Sequence, residues 1–144
     1  MEVKFIVKTF EELTTHDLYE IVRARQEIFL VEQKIICREF DGVDYDSLHC
    51  YLEQKGTVIA YLRAYLSDDG MIHIGRVLTL EHGKGLGREL MEKSYPEIRR
   101  VFGDLPFTLH AQTQAEGFYE KMGFVTVSDE FLEEGIPHVT MVLK

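Results

Sequence analysis

The chain has 144 residues, 45% of them hydrophobic, and a formal net charge of −9 at pH 7. That size and apolar content predict one folded domain over residues 1–144 with its own core, not a disordered chain. The acidic balance offers nucleic acid no basic stripe, the apolar runs are too short to cross a bilayer, and Met1-Glu2-Val3-Lys4 lacks a secretion-signal layout, so a cytoplasmic protein without nucleic-acid or membrane partners is expected.

Val3 to Val7 alternate with polar residues and predict a first strand. Thr14 and Asp17 have the spacing of a capping box, and Leu18, Ile21, Val22, Ile28 and Phe29 recur at helical intervals, so a helix runs to near Val31. The polar stretch from Glu32 to Ser47, with Asp41-Gly42 as a turn, predicts an irregular loop or a short helical turn. Leu48 to Gln54, Thr57 to Leu66 and Met71 to Leu80 follow as strands of an antiparallel meander, joined at Lys55-Gly56 and Asp68-Asp69-Gly70.

A helix then runs from about Lys84 to Tyr95; Pro96 predicts a break or kink, with a further helical piece through Arg100. Phe107 to Ala111 is a strand, and a strand–helix–strand unit of this kind implies a parallel, right-handed crossover. Gln114 to Met122 is the last main helix, stopped by Gly123. Phe124 to Val127 and Val139 to Leu143 are the final strands, separated by an acidic loop. The fold class is therefore α/β (α+β), a mixed central sheet of about six to seven strands with helices on both faces. Cys37 and Cys50 lack Cys-x-x-Cys spacing and are expected to be reduced thiols. The six histidines are scattered, and no metal site is expected.

One segment carries chemistry by itself. Gly75 to Leu80 is an apolar strand, His82-Gly83-Lys84-Gly85-Leu86-Gly87 a glycine-rich turn, and Arg88 to Met91 the start of an amphipathic helix. The first N–H groups of a helix have no intrahelical acceptor, and its dipole favours an anion there. Glycines let a diphosphate approach those N–H groups, and Lys84 and Arg88 add positive charge. The spacing fails the P-loop, which needs Gly-x-x-x-x-Gly-Lys-Ser/Thr, and the dinucleotide fingerprint, which needs Gly-x-Gly-x-x-Gly. It fits the coenzyme A pattern Arg/Gln-x-x-Gly-x-Gly/Ala at both glycines, with His82 departing from it; a plain tight turn between strand and helix also satisfies it.

Further on, Phe107 to Gln112 precedes Ala115-Glu116-Gly117-Phe118-Tyr119-Glu120-Lys121-Met122-Gly123-Phe124. With the glycine turn, this segment resembles the GCN5-related N-acetyltransferase family, whose late helix reads Ala-x-x-Phe-Tyr-x-x-x-Gly-Phe. Arg25 to Gln33, then Glu39, Asp41 and Asp44, then Phe131-x-x-x-Gly135-Ile136-Pro137-His138 resemble its ElaA-like branch, so the resemblance spans nearly the whole chain.

The resemblance implies an acetyl-CoA-dependent N-acetyltransferase acting on a small-molecule or peptide amine; sheet edges in such small domains often pair, which leaves a homodimer open. A non-catalytic acyl-CoA-binding or sensing protein on the same scaffold is the alternative. It implies that His82, Gly83, Lys84, Gly85, Leu86, Gly87 and Arg88 face the pyrophosphate. Main-chain groups of Val77, Leu78 and Thr79 would bond the pantetheine and polarise the thioester carbonyl, with Gln112 touching the cofactor. Tyr119 is the expected general acid, since a phenol is protonated at neutral pH. Glu32, His49 and His110 are the candidates for the base. Glu39, Asp41 and Asp44 can attract a cationic acceptor, and His138 lies where a wall of its pocket is expected. Arg63 and Arg76 sit in half-buried strands and require carboxylate partners, which these same acids can supply.

Overall fold

Alternation within Leu48–Leu66 sets the frame of the molecule: Cys50, Leu52, Ala60, Leu62 and Ala64 point to one side of the sheet, Tyr51 and Tyr61 to the other. The computed structural model describes residues 2–144. Its strands are β1 (Lys4–Thr9), β2 (Leu48–Gln54), β3 (Thr57–Leu66), β4 (Ile72–Thr79), β5 (Phe107–Gln112), β6 (Val125–Thr126), β7 (Phe131–Glu133) and β8 (Ile136–Leu143); its helices are α1 (Thr15–Arg25), α2 (Leu86–Phe102) and α3 (Glu116–Lys121). Among the described residues they form one eight-stranded sheet in the order β1-β2-β3-β4-β5-β8-β6, with β7 also on β8. The β4–β5 pair is parallel and the others antiparallel, as expected from the crossover through α2.

Each face of the sheet has its own helix. Ile21, Ala24 and Ile28 pack on Tyr51, Tyr61 and Leu78. On the opposite face Leu90, Met91 and Ile98 of α2 pack with Leu52, Leu62 and Phe107. The capping box at Thr14 is present: Asp17 N–H donates to Thr14 Oγ1 at 3.0 Å and Thr14 N–H to Asp17 Oδ2 at 3.0 Å. No helix among the described residues is long and apolar enough to cross a membrane.

Four local features differ from the sequence reading. Pro96 does not break α2, which is continuous from Leu86 to Phe102. Pro96 lies on the exposed side, so the carbonyl it leaves without an N–H faces water. Burying Leu90, Met91 and Ile98 at about 1.5–3 kcal/mol each outweighs the roughly 3 kcal/mol cost of an internal proline. The first helix does not stay regular to Val31: after Arg25 it widens into a π-helical turn, Gln26–Glu32, and Gln33 N–H closes on Ile28 O at 2.9 Å. The segment before Ile136 is not wholly loop. Glu134 (φ 52°) and Gly135 (φ 74°) form a two-residue turn with both φ positive, and Phe131–Glu133 pairs back onto β8 as β7. Finally, β4 carries a bulge. Tyr61 faces Leu78 while Arg63 faces Gly75, leaving one extra residue on β4, and Arg76 sits there at φ 54°.

Candidate active site

Strands β4 and β5 begin as neighbours and then part. They pair only at Ile72↔Phe107 and His73↔Thr108. Beyond that point a cleft of about 420 Å³ opens between Gly75, Arg76 and Val77 on one side and His110, Ala111 and Gln112 on the other. Tyr119 of α3 lines it, as does Gln33 beyond the π-helical turn. A second cleft of about 740 Å³ continues from the same junction toward Tyr65, His73 and Arg63. Gly75, Arg76, His110 and Glu133 border both.

The glycine turn starts α2 beside this opening. Gly83 (φ 78°) and Gly85 (φ 73°) take the left-handed conformation that side chains disfavour. At Gly87 a Cβ would lie 3.2 Å from the Phe118 ring and 3.7 Å from Thr79 Cγ2, so a side chain there fits only if the ring gives way by a few tenths of an ångström. The first intrahelical bond is Glu89 N–H to Gly85 O at 3.1 Å, so the N–H groups of Leu86, Gly87 and Arg88 precede the ladder. Lys84 pairs with Glu81, and Arg88 Nε with Glu92 at 2.8 Å, both on the exposed surface. Pairs of that kind contribute little to stability. His82 Nε2 lies 3.3 Å from Glu32, both exposed, and Gln112 Nε2 donates to Gln33 Oε1 at 3.0 Å. The turn after α1 thus reaches both edges of the first cleft. Glu32 contacts the glycine turn through His82, not the junction of the clefts.

Tyr119 is 8% exposed and edge-on to Phe118 and Phe124. Burial pushes its phenol above the ordinary range, which keeps it protonated. Val77 lines the first cleft, Leu78 is buried beneath α1, and Thr79 touches the glycine turn.

The acids predicted to receive an acceptor are occupied. Arg25 Nε donates to Glu39 Oε1 at 2.5 Å and Nη1 to Asp44 Oδ1 at 2.8 Å. Arg63 donates to Asp41 Oδ2 at 2.7 Å and to Asp44 Oδ1 at 3.1 Å. Arg76 Nε donates to the same Glu39 oxygen at 3.1 Å. Three arginines and three carboxylates therefore balance one another and fasten the loop after the first helix to the sheet. This is the arginine-partner role, and it leaves Glu39 and Asp41 no spare charge with which to draw in a cation.

His49 also needs correction. It is fully buried, away from both clefts. Its Nε2 lies 3.0 Å from Asp44 O and its Nδ1 2.6 Å from Tyr61 Oη. A carbonyl only accepts, so Nε2–H donates to it and Nδ1 accepts the Tyr61 hydroxyl proton. Neither nitrogen is left to take a proton from a substrate. Burial lowers its pKa despite the neighbouring Asp44, so the ring is neutral.

Burial alone would raise the pKa of Asp41, but the hydrogen bonds from Arg63 and from Val43 N–H, with Arg63 and Arg76 charge, bring it down to about 2. Asp44, between Arg25 and Arg63, is lowered as well. Folded-state pKa values below the unfolded ones stabilise the fold at higher pH and cease to do so as pH falls through them. The urea midpoint is accordingly expected to hold steady above about pH 5 and to fall from about pH 4 toward 2. A flat profile across that window would contradict the cluster.

Sequence spacing alone does not single out Glu133, because the segment before Ile136 reads as an acidic loop. Its carboxylate lies 2.7 Å from His110 Nδ1 and 3.5 Å from His138 Nε2. Phe131 contacts both imidazole rings. Phe131 two residues before Glu133, followed by a Glu-Gly turn, is the strand-and-turn signal that points to it.

The comparisons with known proteins give the class of this fold and site, an acyltransferase. The family model described as "Acetyltransferase (GNAT) domain" matches residues 24–144, and the chain belongs to that family. Within it the chain is similar to protein ElaA of Escherichia coli (strain K12), at 34% identity over 90% of this chain and 89% of that protein. The crystal structure of E. coli ElaA superposes with a TM-score of 0.92, covering 99% of this chain and 100% of that one. A Pseudomonas aeruginosa protein described as an acyl-CoA N-acyltransferase does so with the same TM-score, at 35% identity and the same coverage. A Thermoplasma acidophilum N-acetyltransferase crystallised with coenzyme A shares the fold at 16% identity and a TM-score of 0.70, covering 100% of this chain and 99% of that one.

Proposed function

We propose that the whole chain works as one acetyltransferase domain, moving an acetyl group from acetyl-CoA to the amine of a small molecule or peptide. The observation that carries this is the parting of β4 and β5 beside the glycine turn, with the Tyr119 phenol lining the opening. Acetyl-CoA supplies an activated thioester carbonyl. N–H groups from Gly83 to Arg88 receive its diphosphate, with Lys84 and Arg88 turning from their surface partners toward it. The edge of β4 at Val77, Leu78 and Thr79 carries main-chain groups not paired with β5; they can bond an extended pantetheine as an added strand and polarise the carbonyl. Gln112, already linked to Gln33, closes the far edge. Tyr119 donates to the departing sulfur.

A ligand selective for the native state must stabilise it. At about 100 times its dissociation constant, coenzyme A contributes about 2.7 kcal/mol, a rise of roughly 5–10 °C in melting temperature for a chain of this size. Acetyl-CoA with a panel of polyamines, free amino acids and short peptides should release thiol above background. An unchanged melting curve at millimolar coenzyme A would reject the binding role, and binding without thiol release would reject the transfer.

A further inference from the structure

We infer that His110, oriented by Glu133, is the group that takes the proton from the attacking amine, and that the acceptor reaches it through the second cleft. This rests on the transfer function proposed above. Three observations converge. First, His110 stands where the two clefts meet, so it faces both the thioester side, with Tyr119, and the side lined by Tyr65 and His73. Second, Nδ1 of His110 is 2.7 Å from Glu133 Oε1. A carboxylate only accepts, so Nδ1 carries the proton and Nε2 keeps its lone pair. A carboxylate that fixes an imidazole tautomer in this way also stabilises the imidazolium once a proton arrives. Third, the ring is 47% exposed, so the proton has a path to solvent.

The neighbouring parts support the same assignment. His138 Nδ1 donates to Ile136 O at 2.7 Å, and its Nε2 lies 3.5 Å from Glu133 Oε2, beyond a hydrogen bond. Phe131, on the same strand as Glu133, is edge-on to His110 and stacked with His138, fixing both ring planes. The titratable and charged groups lining the two clefts with His110 are Glu133 and Glu134 from the hairpin, His138 from β8, His73 and Arg76 from β4, Arg63 and Tyr65 from β3, Cys37, Arg38, Glu39 and Asp41 from the loop, His82 from the glycine turn, and Tyr119 from α3. Of these Glu133 bonds the ring directly, whereas Arg76 and Glu39 are paired with each other. Glu133 is a positioning residue; His110 meets the substrate.

The step balances. The acceptor nitrogen gives its electron pair to the thioester carbon, the carbon–nitrogen bond forms and the carbon–sulfur bond breaks. The nitrogen's proton passes to His110 Nε2. Tyr119 gives its proton to the sulfur, and the imidazolium returns one to the phenol through solvent.

The test uses the full chain with acetyl-CoA and the best amine of the panel. His110→Gln should lower kcat/KM for the amine about 10²- to 10⁴-fold and remove the rise of rate with pH, with coenzyme A affinity unchanged. Glu133→Gln should cost about 10- to 100-fold and displace that rise. Nitrogen NMR of the imidazoles should find His110 protonated at Nδ1 in the parent and not uniquely so in Glu133→Gln. An Nε2–H tautomer in the parent, or a His110→Gln variant with the parent's kcat/KM and pH profile, would overturn the assignment while leaving the transfer function intact. A parent that binds coenzyme A but acetylates nothing would overturn that function, and the base role with it.

Discussion

Arg25→Ala is expected to cost about 3–5 kcal/mol of folding stability, the range for removing one partner of a buried ion pair. Domains of this kind hold only about 5–15 kcal/mol in all, so the variant sits close to unfolding. Arg25 is 1% exposed and donates to Glu39 Oε1, Glu39 O and Asp44 Oδ1, with its guanidinium 5.8 Å from the centre of the Tyr61 ring. Without it, Glu39 keeps only Arg76 and Asp44 only Arg63, and the loop bearing Cys37 and Glu39 into the first cleft loses three hydrogen bonds. Arg25→Lys should recover only part of the loss, because a single ammonium cannot reproduce the planar fork. Urea unfolding measures both. A loss below about 1 kcal/mol, the scale of an exposed pair, would show that the cluster is not structural.

The second large effect is on rate. Tyr119→Phe should slow thiol release about 10²- to 10⁴-fold, the span of a positioned proton donor, while coenzyme A affinity stays near the parent's. The substitution keeps the aromatic contacts with Phe118 and Phe124 and removes only the hydroxyl. Burial holds that phenol in its protonated form, so it offers a hydrogen bond to a sulfur acquiring charge. Single-turnover measurement with saturating acetyl-CoA separates this effect from binding. Turnover at the parent rate would move the acid role away from Tyr119.

Much of the frame was legible because its signals are local. The Thr14–Asp17 capping box, the alternation along β2 and β3, and the strand–turn–helix around Gly83 to Arg88 each depend on residues a few positions apart. Backbone propensity alone predicts a break at Pro96 because it carries nothing of the helix's buried face, and three residues show too short an alternation to mark β7. The assignment of Glu39 and Asp41 to an acceptor met a competing demand. Arg25, Arg63 and Arg76 lie on three separate elements, and spacing along the chain does not say that all three point at one loop.

The sequence by itself determined the order and kind of the elements other than β7 and the π-helical turn, the glycine turn at the start of α2, and the helix that presents Tyr119, since periodicity and turn chemistry act over a few residues. Only the tertiary structure decided that His49 is enclosed, that the acidic loop is neutralised by arginines, and that His110 and His138 meet over Glu133. Those outcomes depend on strand register and on which side chains the packed sheet shields from water, and a one-residue slip of β7 against β8 would turn Glu133 to the opposite face.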